Sequence, residues 1–194
     1  MSEQATIMPN LTADDFLTMD QSTFGSAWRY ELVDGRVVGR PALSPHLAAI
    51  LAGLGGAIGS RLRGRRDCRP EIGSAAIPKR AQRNSARIPD AIVRCAGLPR
   101  ILFEVVSPSE LAHRRQRDLK RRDLQDVEGV EEIVELYEEP AAHIYRRLGS
   151  AWTFEAIDGI DATLVLRSIG LEIPLSEVYA FIDVPPDEDA SQLG

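Results

Sequence analysis

With 194 residues, 44% of them hydrophobic and 27% charged, the chain has enough apolar material for a packed core and too much for wholesale disorder. No apolar run approaches the ~20 residues that span a bilayer, and Met1–Asn10 lacks the basic start and apolar stretch of a secretory leader, so a cytoplasmic protein is expected. The net charge of −6 argues against a protein built simply to coat nucleic acid. The length suits one domain, 11–182, between a flexible N-terminus, 1–10, and an acidic flexible tail, 183–194. The two cysteines, Cys68 and Cys95, form no CxxC pair; this argues against a zinc knuckle or a disulfide scaffold and fits a reducing compartment.

Thr12-Ala-Asp-Asp15 starts a short helix, with Thr12 as N-cap and acids in the first turn. Residues 28–33 read as a strand, Asp34-Gly35 as a type I′ hairpin turn, and Val37-Val38 as the start of the return strand. Ser44-Pro45 caps a helix that reaches about Leu62, and its four glycines suggest close packing against a sheet. A strand is expected over 71–77, a basic loop over 78–86, and strands over 88–95 and 101–106 around Ala96-Gly97-Leu98-Pro99. Ser107-Pro108-Ser109-Glu110 caps one charged helix running to about Gln125. Strands follow at 131–137, 142–147 and 152–157, the last two turning at Gly149-Ser150, then 163–166 and 171–173 and a final helical turn at 175–179. The order predicts an α/β (α+β) fold: a central mixed sheet with helices packed on it.

Three basic runs interrupt the acidic background: Arg61–Arg69, Lys79–Arg87 and Arg114–Arg122. Such patches can contact phosphates, or simply be solvated helix faces and loops. The sharper feature is a pair of acids in apolar, β-branched runs: Asp90 in Ile-Pro-Asp-Ala-Ile-Val and Glu104 in Ile-Leu-Phe-Glu-Val-Val. Burying an unpaired carboxylate is costly. Two in neighbouring strands suggest a site for a hard divalent cation; the alternative is a turn acid and an ion-paired glutamate. Neither Ser107 nor Ser109 sits in a nucleophile elbow, and no Walker-type phosphate loop is present. His113 and His143 have no partner pattern and read as structural or exposed.

Leu11-Thr-Ala-Asp-Asp-Phe16, Arg29-Tyr-Glu-Leu-Val-Asp-Gly35, Ser44-Pro-His46, Pro89-Asp90 and Phe103-Glu-Val-Val-Ser-Pro-Ser109 occur in an order that resembles the Uma-type (Uma-two) family of putative restriction endonucleases, within the PD-(D/E)XK nuclease superfamily. The resemblance covers about 11–180. It implies a restriction-endonuclease-like mixed sheet flanked by helices and a Mg2+-dependent endonuclease acting on DNA, with Mn2+ as a substitute ion. It also implies a homodimer. Asp90 and Glu104 would bind the metal with the carbonyl of Val105, and Glu31 would line the same site. The lysine that the superfamily carries two residues after the Glu is typically absent from this family, and Val106 stands there. Lys120 on the following helix would replace it, with Arg117 and Arg121 as rival cations. His46, Arg117 and Arg121 are candidate phosphate contacts. A fold kept for binding or assembly without catalysis is the alternative.

Overall fold

The computed structural model describes residues 5–6, 10–20, 28–76 and 84–183. The second basic run, apart from Arg87, and the terminal tail lie outside them. The central sheet has six strands: β4 (Cys68–Ile72), β5 (Ala91–Cys95), β6 (Leu98–Val105), β7 (Glu132–Leu136), β8 (Ala141–Leu148) and β9 (Ala151–Asp158). They are ordered as numbered and are antiparallel except for the β6–β7 pair. A parallel pair needs a long crossover. Here it is α3 (Pro108–Ala112) followed by α4 (Arg114–Gln125).

One sheet face is covered by α2 (Pro45–Leu62), α5 (Leu175–Val178) and the hairpin of β10 (Thr163–Leu166) with β11 (Leu171–Pro174). Val93, Phe103, Val134 and Ile144 meet Ile50, Leu54 and Ile58 of α2 there. The other face carries α4: Ile92, Leu102 and Ile133 pack against Leu124, Val127 and Val130. Period-two alternation thus sends odd positions of β6 to α2 and even positions, Glu104 among them, to α4. A separate small sheet joins β1 (Ala5–Thr6), β2 (Trp28–Val33) and β3 (Arg36–Pro41). With α1 (Ala13–Thr18) it forms its own core around Phe16 and Leu32, and a bridge from Leu32 to Ala86 ties it to the segment leading into β5.

Several local expectations hold. Thr12 and Ser107 both form capping boxes, with Asp15 and Glu110. Asp34 and Gly35 both have positive φ, as a type I′ turn requires. Four differ. The strand expected over 71–77 is Cys68–Ile72, with Ala76 in a lone bridge to Arg87. Ala96 and Gly97 also have positive φ, so β5 and β6 form a tight hairpin and β6 starts at Leu98. The single charged helix is two, broken at His113, whose ψ of 51° leaves the helical region. Among the α2 glycines only Gly53 is packed closely, and its neighbour is the Glu177–Val178 backbone of α5 rather than the sheet; a Cβ at Gly55, Gly56 or Gly59 would meet open space.

The cysteines require a correction as well. Cys68 and Cys95 face each other in the β4–β5 register and are joined by a disulfide. Cysteine count and the 27-residue separation could not reveal that pairing, because only the strand register creates it. The cysteines therefore carry no argument for a reducing compartment. Among the described residues no helix is long and apolar enough to cross a membrane.

Candidate active site

Ala91 of β5 lies opposite Phe103 of β6. One step outward, Asp90 comes opposite Glu104, and both share the α4 side with Ile92 and Leu102. Asp90 is buried; its Oδ2 accepts the Val105 N–H at 2.7 Å, and its Oδ1 pairs with Arg29 of β2. Glu104 Oε2 accepts from Lys120 Nζ at 2.6 Å, whereas Glu104 Oε1 is buried without a partner among the described residues. Lys120, itself only 4% exposed, also reaches Glu31 Oε1 at 2.9 Å. Glu31 further accepts the Ile88 N–H at 3.1 Å and faces Arg87 at 3.1 Å and Arg40 at 3.5 Å. The hairpin β2–β3 presents Arg29, Glu31 and Arg40 together because alternate residues of a strand share a face and Arg29 is in register with Arg40.

These surroundings split the two glutamates. Burial alone would raise the Glu31 carboxyl, but Lys120, Arg40 and Arg87 outweigh it and hold it at about 2. Burial also raises Glu104; Lys120 opposes the shift, the negative charges of Asp90 and Glu31 add to it, and the result is about 8. One lysine therefore bridges a firmly ionised carboxylate and one that holds its proton to neutral pH.

The cleft beside this cluster has a volume of about 140 Å3, roughly ten times what a single water needs. Glu104, Lys120, Arg29 and Arg40 line it, together with Arg117, Arg121, Leu124 and Glu135. On α4, positions 117, 120, 121 and 124 follow helical spacing, so one face delivers three cations and one core leucine. Arg121 donates to Glu135 at 3.0 Å and pairs with Asp118. Arg117 lies 3.9 Å from Glu135, with its Nε and Nη1 buried and lacking hydrogen-bond partners among the described residues.

Glu31, Asp90, Glu104, Val105 and Lys120 thus meet in one place, and Arg117 and Arg121 line the same cleft. His46 is not among the lining residues; its Nε2 lies 3.4 Å from the Glu138 carbonyl. The Arg61–Arg69 run sits around the end of α2 and the Cys68–Cys95 pair, at the far end of β5, with Arg61, Arg65 and Arg69 tied to acids. His113 lines the cleft, and the buried side of His143 meets the Tyr137 hydroxyl at 2.6 Å, which in turn donates to Glu135. Sequence reasoning missed Arg29, Arg40, Glu110 and Glu135. Glu110, besides capping α3, pairs with Arg40 at 2.8 Å. Glu135 was legible by the same sign as Glu104: an acid inside a β-branched run, here Glu132-Ile-Val-Glu-Leu136, all of it buried.

Among the described residues no group of three or more His, Cys, Asp or Glu side chains is arranged to hold a metal ion. The donors an ion could use here would be two carboxylates, Asp90 and Glu104, with the Val105 backbone. That set suits a hard cation which retains most of its waters, as Mg2+ does. The partnerless Glu104 Oε1 and the half-exposed, displaceable Arg29 on Asp90 leave oxygen valences for such an ion.

The fold is shared with a solved structure, a putative nuclease belonging to DUF820 from Anabaena variabilis, at a TM-score of 0.66 and 17% identity; the match covers 88% of this chain and 98% of that one. No curated protein matches the chain. Residues 13–176 match the Uma2 family, described as putative restriction endonuclease, a span that includes every element from α1 to α5 that contributes to the cleft, and the chain belongs to that family.

Proposed function

We propose that this protein is a divalent-cation-dependent endonuclease that hydrolyses phosphodiester bonds in DNA. The observation that carries the reading is the buried, partnerless Glu104 Oε1 beside Asp90, with Lys120 clamped between Glu104 and Glu31. Asp90, Glu104 and the Val105 carbonyl would hold Mg2+, which when bound lowers the pKa of a coordinated water and neutralises charge on a phosphate. Glu31 orients Lys120, whose ammonium would serve the attacking water or the scissile phosphate. Arg117 and Arg121 offer further positive charge to the phosphate oxygens.

A second reading, a binding module without catalysis, rests on a specific observation: both Asp90 oxygens already have protein partners, Arg29 and the Val105 N–H. Supercoiled plasmid separates the two. With Mg2+ or Mn2+ the wild-type protein is expected to nick it, and Asp90→Ala and Glu104→Ala are expected to abolish nicking. Nicking that persists in both variants rejects this site as the catalytic centre. Correctly folded wild type that never nicks favours the binding module.

A further inference from the structure

Beside α4 the sheet carries an aromatic face on β8 and β9. In the β8–β9 register Tyr145 lies opposite Phe154 and Arg147 opposite Trp152, all on the α4 side. Phe154 is 58% exposed, unusual for so large an apolar ring. Its ring lies 5.0 Å from His143 and 5.3 Å from Tyr145, and the Arg121 guanidinium sits 4.6 Å over Tyr145. Since Arg121 also lines the cleft, the aromatic face is continuous with it.

Next along β9, the Arg147 guanidinium lies 4.6 Å over the Trp152 ring. Its hydrogen bonds go to the Val130 and Gln125 carbonyls, not to a carboxylate. Among the described residues Arg147 forms no salt bridge, and it is exposed. Phe154 and Trp152 are two residues apart on one strand, about 6.6 Å. That is about twice the 3.4 Å rise per base of a duplex strand. An unpaired strand can open to this spacing by unstacking; a duplex, with its base faces covered, cannot.

We propose that this face is a stacking platform for an unpaired strand of DNA, with one base on Phe154 and the next on the Arg147 guanidinium, leading the backbone past Arg121 into the cleft. Aromatic rings and guanidinium planes stack on any base, so the platform selects strand state and not sequence. The exposed charge of Arg147 favours a polyanion over a second copy of this net-acidic chain. The inference rests on the nuclease reading for what the strand is delivered to, but not for the binding itself.

The test uses the full chain in metal-free buffer, with a labelled DNA strand and the same sequence as a duplex, read by fluorescence anisotropy. The single strand is expected to bind more tightly. Phe154→Ala is expected to weaken it by about tenfold while leaving the slope of affinity against salt unchanged, because a stacking contact releases no counterions. Phe154→Tyr is expected to retain binding, which separates stacking from a folding defect. Equal affinity for strand and duplex, or Phe154→Ala that changes nothing, overturns the platform. So does Phe154→Ala that converts a sedimenting dimer into a monomer, since the face is then covered by a second copy. Plasmid nicking distinguishes the two claims: nicking without strand preference removes the platform alone, and strand binding through Phe154 without nicking removes the nuclease reading alone.

Discussion

Glu104 carries the clearest consequence at the scale of single residues. Its folded pKa of about 8 lies far above its ordinary 4.5, so the native protein holds a proton there that the unfolded chain releases. Between those values this group's contribution to stability falls as pH rises. Glu31 has the opposite sign: held at about 2, its contribution is present above 4.5 and is lost as pH falls toward 2. A cation on Glu104 must displace the proton. Affinity for Mn2+ is therefore expected to rise with pH by up to about tenfold per unit and to level off above about 8. Calorimetry in two buffers of different ionisation enthalpy should show close to one proton released per ion near pH 6 and none near pH 9. Glu104→Gln should flatten the pH profile as well as weaken binding. A profile that stays steep in that variant would place the linked proton on another group.

Among the elements, α2 and the two tight hairpins show what a sequence reveals and what it withholds. Gly53 faces the carbonyl of Val178, so Gly53→Ala forces α2 and α5 apart despite its better helix propensity. It is expected to cost about 1–3 kcal/mol. Gly56→Ala, with nothing near its Cβ, is expected to add about 0.5–1 kcal/mol through the propensity gain alone. Thermal or urea unfolding of the two variants checks both signs, and two shifts in the same direction would contradict the α2–α5 contact. The sequence marked all four glycines equally, because propensity is local and the approach of α5 is not. The hairpins follow the same logic. Asp34-Gly35 announces its turn, but Ala96-Gly97 puts alanine where a positive φ is required and so hid the tight β5–β6 hairpin that sets Cys95 opposite Leu98. Asp90 and Glu104 were legible as acids in apolar strands, and the spacing of α4 made Lys120 a candidate. Glu135 carried the same local sign as Glu104, but its place in the cleft depends on the parallel pairing of β7 with β6, and Arg29 and Arg40 arrive from a separate hairpin that no local pattern ties to the site.

For the molecule as a whole, the decisive balance is between many arginines and the acids that already hold them. Arg29, Arg40, Arg87 and Arg121 around the cleft are paired with Asp90, Glu31, Asp123 and Glu135. Of the arginines that line the cleft, Arg117 has the least compensation, its nearest carboxylate lying 3.9 Å away, and Arg147 on the adjoining face bonds to carbonyls. A net charge of −6 adds a repulsive background. Each phosphate neutralised contributes about −0.9 to the slope of log affinity against log salt on a duplex and about −0.7 on a single strand. Strand capture through Arg117, Arg147 and one or two further cations should therefore show a shallow slope, about −2 to −3, and not the −8 or steeper of a heavily basic binder. Anisotropy titrations between about 50 and 200 mM salt measure it directly. If the slope is steep, further cations join in, either the exposed Arg114, Arg115 and Arg122 of α4 or the arginines now tied to Glu31, Asp123 and Glu135. If it is shallow, those ion pairs are a rigid frame, and strand capture depends on stacking and on the few cations that stand free of carboxylates.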